Sequence, residues 1–114
     1  MVALSVDVLF DAAIRIQLAE QSISITFRED AIRIKFPTTR RLAEFLEVPH
    51  YYVLPYFAMM EQEELVTRAE RVGILTTAKG SGKMINLMRE KYLRETEDIL
   101  GTVFQEIVKK SLSP

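Results

Sequence analysis

Residues 38–66 read TTRRLAEFLEVPHYYVLPYFAMMEQEELV. Thr38 or Thr39 can accept a free backbone N–H and so start a helix directly after Pro37. Leu42, Ala43, Phe45 and Leu46 give that helix an apolar side, and it runs to about Glu47. Val48-Pro49 then breaks it, because proline lacks an N–H and disfavours helical geometry in the residue before it. A second helix follows through Tyr52, Val53, Phe57 and Met60 to about Glu64. Apolar residues at 42, 43, 46, 48, 53, 57, 60, 65 and 66 lock two short helices at a steep angle across a tight turn.

Pro55 opens a second register. Inside a helix, proline removes one hydrogen bond and costs about 3 kcal/mol, so it is best accommodated in a first turn. In one reading the second helix starts after Pro49, and a β segment follows through Arg68, Arg71-Val72-Gly73 and Leu75-Thr76. In the other it starts near Pro55 and runs to Val72, with Gly73 as its C-terminal cap. The β pair would then be Ile74–Thr77 and Met84–Leu87, joined by a basic, glycine-rich turn at 78–83. Both registers place a β-hairpin region within 65–88.

Upstream, residues 4–20 predict a helix, with Val6, Leu9, Phe10, Ala13 and Ile16 on one face. Leu4, Val8, Ile14 and Leu18 widen the apolar surface, leaving Asp7, Asp11 and Arg15 as a narrow polar side. Such a helix is buried on two sides, and a partner subunit is the expected second side. Residues 22–36 alternate as a β-hairpin. A tight turn around Glu29-Asp30, or equally a four-residue loop since Glu-Asp is not the favoured turn pair, matches Phe27 with Ile32, Ile25 with Ile34 and Ile23 with Phe36 on one face. Downstream, residues 82–111 predict one long amphipathic helix through Ile85, Met88, Tyr92, Ile99, Val103 and Ile107. Ser81 is its expected cap, and Gly101 is a weak point within it.

At 114 residues the chain is long enough for one core, so a single domain over 1–114 is expected. The fold class is α+β, mainly α. Charges interrupt the apolar N-terminus and no basic n-region precedes it, which argues against a signal peptide or membrane span and for a cytoplasmic protein. With no cysteine and a single histidine, His50, a metal site is not expected. Gly80-Ser81-Gly82-Lys83 lacks both the upstream glycine and the following Ser or Thr of a phosphate loop. No nucleophile–base pair or carboxylate dyad stands out, so neither catalysis nor a cofactor is expected. The net charge of −1 counts mildly against nucleic acid, although the arrangement of charge decides more than its sum.

The apolar pattern at 42–66, followed by Arg68, Arg71-Val72-Gly73, Leu75-Thr76 and Gly80, resembles the winged helix-turn-helix superfamily, including MarR-like regulators. The resemblance covers about residues 38–90. It departs from the family at position 64, where many members carry glycine and this chain has Glu64. It implies sequence-specific binding of double-stranded DNA by a dimeric transcriptional regulator, paired through the N- and C-terminal helices. His50, Tyr51, Tyr52 and Tyr56 would face the major groove. Arg40, Arg41, Arg68, Arg71, Lys79 and Lys83 would contact phosphates. The recognition helix carries no cation, and Glu61, Glu63 and Glu64 follow it. A winged helix serving as a protein-interaction module in a larger assembly is therefore the rival expectation. Replication or partition of plasmid or viral DNA would use the same fold.

Overall fold

The computed structural model describes residues 3–28 and 31–112. Its elements run α1 (Val6–Ala19), β1 (Ile25–Arg28), β2 (Ala31–Phe36), α2 (Thr39–Leu46), α3 (His50–Gln62), β3 (Val66–Ala69), β4 (Gly73–Thr76), α4 (Ala78–Lys91), α5 (Leu93–Leu100) and α6 (Val103–Leu112). The four strands form an antiparallel sheet in the order β1-β2-β4-β3. The fold is α+β, mainly α. It adopts the earlier start of the second helix, after Pro49, and the alternative β pair is overturned, since residues 84–87 lie inside α4.

The first hairpin has the register that its alternation dictates, Ile25 opposite Ile34 and Phe27 opposite Ile32. It closes one step earlier than the three-pair expectation: the last link is the Lys35 N–H to the Ser24 carbonyl at 2.9 Å. The expected turn at Glu29-Asp30 lies outside the described residues. β2 pairs with β4 only through Lys35–Leu75 and Phe36–Ile74. Beyond that, side chains stand in for a strand. The Ser81 hydroxyl donates to the Ile32 carbonyl, and the Thr76 hydroxyl accepts from the Ile34 N–H at 2.8 Å while lying 2.6 Å from Ser81 Oγ. All of these groups are buried, and leaving any one unpaired would cost about 1–3 kcal/mol. Ser81 therefore serves the sheet, and Thr77 caps α4 in its place.

α1 is buried on both sides, through Leu9, Phe10, Ala12, Ala13, Ile14 and Ile16. The chain supplies the second side itself: α2, α3, α4 and α5 all pack against α1. This is possible because the C-terminal third is three helices instead of one. Tyr92 ends α4, and its hydroxyl donates to Asp11 Oδ1 of α1 at 2.6 Å. Burial, and then that bond to a carboxylate, push the Tyr92 phenol up to about 12. The second break is Gly101, at φ +62° and ψ −148°, a region that only glycine occupies without strain. α6 then folds back over α4 and β2, burying Phe104 and Ile107. The apolar stripe of the last third is thus spent on the chain's own core.

Candidate nucleic-acid interface

The turn between α2 and α3 is built from backbone hydrogen bonds. Thr38 caps α2, accepting the Arg41 N–H at 3.1 Å. At the other end Glu47 takes the left-handed conformation, φ +57°. The N–H groups of Glu47 and Val48 then reach back to the Glu44 and Ala43 carbonyls, which satisfies the open end of the helix. Pro49 stays extended and starts α3 without a side-chain cap. Pro55 sits in the second turn of α3, deeper than sequence reasoning allowed. The hydrogen bond it removes is the one to the Tyr51 carbonyl. Both residues lie on the exposed side of the helix, where water can take the place of the missing donor.

α3 buries Val53, Phe57 and Met60 and turns a different set outward. Tyr51 is 66% exposed and Tyr52 45%, and their rings meet edge to face at 4.7 Å. His50 Nε2 lies 2.7 Å from Thr39 Oγ1, which ties the start of α3 to the start of α2 beside exposed Arg40. Arg40, His50, Tyr51 and Tyr52 are thereby gathered at one end of the helix pair. Two expected members stand apart from them. Tyr56 packs against the core. Arg41 is half-buried and lines a cleft with Gln17, Glu20 and Lys35.

The C-terminal end of α3 meets α4. Glu64 is left-handed, φ +59°, and this is the position where the family resemblance called for glycine. The Thr77 hydroxyl accepts the Gly80 N–H at 3.1 Å and donates to the Glu64 carbonyl, while the Thr77 N–H donates to the Leu65 carbonyl at 3.0 Å. Lys79 Nζ donates to the Glu63 carbonyl at 3.0 Å. A Cβ on Gly80 would stand 1.8 Å from the Leu65 carbonyl oxygen, so only glycine permits this approach. The basic turn expected at 78–83 is therefore the first turns of a helix, and its Gly80 reflects close packing. Lys83, farther along α4, pairs with Asp7 at 2.6 Å. Lys79 and Lys83 are both engaged within the chain, away from the open end of α3.

The hairpin β3–β4 turns through Glu70 and Arg71, closed by the Val72 N–H to the Ala69 carbonyl at 3.1 Å. Arg71 stands exposed at its tip with φ +67°, where a non-glycine side chain costs about 1–2 kcal/mol. Arg68 is drawn back across α3, 3.3 Å from Glu61 and 5.1 Å above the Phe57 ring.

Two features escaped the sequence reading. One is the clamp of Thr77, Lys79 and Gly80; the four-residue spacing of Thr76-Thr77 to Gly80-Ser81 was its only trace. The other is the outer face of α3, where Leu54, Pro55, Ala58 and Met59 are all exposed. Their helical spacing opposite Val53, Phe57 and Met60 was visible, but nothing in the sequence said which side the core would take. Among the described residues, no helix is long and apolar enough to cross a membrane. In comparisons with known proteins, no family model matches the chain and no curated protein matches it.

Proposed function

We propose that this chain is a winged-helix DNA-binding protein, acting in the cytoplasm as a homodimeric transcriptional regulator. In this reading α3 enters a major groove by its N-terminal turns, and the β3–β4 hairpin lies along the flanking backbone. One observation carries it: in chain order the helix pair falls between β2 and the β3–β4 hairpin, and it gathers exposed Arg40, Tyr51 and Tyr52 with half-buried His50 at one end. Arg40 and Arg71 supply phosphate contacts, which fix register, while the tyrosines and His50 offer polar edges to the bases. Arg71, exposed at the tip of the β3–β4 hairpin, can reach a phosphate of the flanking backbone.

The test is a selection of bound duplexes from a random pool, followed by affinity measured across salt concentration. Each phosphate contact adds roughly one unit to the slope of log K against log salt. Arg40→Ala and Arg71→Ala should each flatten that slope by about one unit, and Lys79→Ala should leave it unchanged. Binding that ignores salt, or no enrichment of any duplex, overturns the reading.

The outer face of α3 favours a second reading, that of a protein-interaction module. Leu54, Pro55, Ala58 and Met59 form an exposed strip without a cation, and exposed Glu63 and Glu64 follow it. Phosphate would be repelled there, whereas an amphipathic helix of a partner protein would not. Loss of partner binding on Met59→Glu, with duplex binding absent in the parent chain, would decide for this alternative.

A further inference from the structure

The sheet ends in two unlike edges. β3 is guarded: Arg68 of the strand is paired with Glu61, and Glu70 and Arg71 follow. β1 carries a charge only at its last position, Arg28. From Ser22 to Phe27 the sequence is Ser-Ile-Ser-Ile-Thr-Phe, with no charge and no proline. Natural proteins protect an exposed edge strand with one or the other, because its unpaired backbone groups are a template for another strand. Ladder alternation identifies those groups. Ser24 bonds toward β2 through the Lys35 N–H, and Ile34, opposite Ile25, sends its N–H the other way, to Thr76. Ile25 and Phe27 therefore point their N–H and C=O groups out of the sheet.

We infer that this edge pairs with β1 of a second copy of the chain, antiparallel, about a two-fold axis through Thr26. That register sets Ile25 opposite Phe27 of the other copy twice, giving four backbone hydrogen bonds. The cross-strand pairs are Thr with Thr and Ile with Phe, both favoured combinations, and no like charges oppose each other among residues 25–27. Phe27, 54% exposed and touched on one side by Lys110, gains cover from the second copy's Ile25. Pairing also stops at two, because it consumes both β1 edges and leaves only the guarded β3 edges outside. The inference stands independently of what α3 binds.

Sedimentation of the DNA-free chain at micromolar concentration tests it. The wild type should run at twice its 13.1 kDa. Thr26 is exposed and points to the opposite face from Ile25 and Phe27, so T26K and T26E should each fold, as circular dichroism would verify, yet run as monomers. Mixed in equal amounts, the two variants should recover the dimer, since only an isologous register brings position 26 against itself. Phe27→Pro, which removes an outward N–H and spares the β2 ladder, should give a monomer independently. A monomeric wild type, variants that remain dimeric, a mixture that stays monomeric or growth into longer assemblies each overturns the inference.

Discussion

At its C-terminal end α3 is held by three groups of α4: the Thr77 hydroxyl, the Lys79 ammonium and the unsubstituted Cα of Gly80. At its N-terminal end it starts on Pro49 with no side-chain cap, tied to α2 by the His50–Thr39 contact. The charge changes along the same axis, from Arg40 beside the open end to Glu61, Glu63 and Glu64 at the clamped one. The contrast shows how a short helix can be both rigid and presented. Its orientation is set mainly from the end that meets the core, so the other end can present polar, exposed side chains. A division of this kind separates mutations that unfold the protein from mutations that only blind it.

Gly80→Ala should break the contrast most severely. The added Cβ meets backbone at 1.8 Å, so α4 must shift from the junction, at a cost on the order of 3 kcal/mol in chemical denaturation. Thr77→Ala removes a cap and the bond to Glu64, and should cost about 1–2 kcal/mol. At the open end Tyr51→Ala should leave the denaturation midpoint nearly unchanged, as exposed positions do. In the DNA-binding reading it weakens the selected duplex roughly tenfold, about 1.4 kcal/mol, by fluorescence anisotropy. The smallest effects come from relieving left-handed residues. Glu64→Gly and Arg71→Gly should each stabilise by about 0.5–1 kcal/mol, since glycine avoids the Cβ clash but loses more chain entropy. Arg71→Gly should also weaken DNA, so that stability and affinity move in opposite directions. If they rise together, the tip arginine has no role in binding.

The helices α2 and α3, the first hairpin and the class of fold were legible because each rests on local periodicity. Leu42, Val53, Phe57 and Met60 declare the buried sides of two helices without knowledge of the rest. What stayed hidden depends on contacts distant in sequence. Gly80-Ser81-Gly82 reads as a turn, and only the proximity of Leu65 and Ile32 shows why a helix there carries Gly80 and Ser81. The stripe from Ile85 to Ile107 is continuous in projection, so the corner at Gly101 appears only once α6 is seen to need the same core as α4. For the candidate interface, the sequence named Arg40, His50, Tyr51, Tyr52 and Arg71 among ten residues. It could not foresee that Arg68, Lys79 and Lys83 would find partners within the chain.

Tyr92, at the break between α4 and α5, turns this architecture into a proton balance. Its phenol titrates at about 12 in the folded chain, against 10 in an unfolded one. The folded state therefore retains a proton there that the unfolded state releases between those values. The stabilisation is complete below pH 10 and drains away as pH rises toward 12. A spectrophotometric alkaline titration should accordingly show a tyrosine ionising well above the ordinary phenol value of 10. Asp11→Asn should bring it back toward that value, by removing the carboxylate that accepts its hydrogen bond. The joint that folds the C-terminal helices onto α1 is thereby loosened only in strong base.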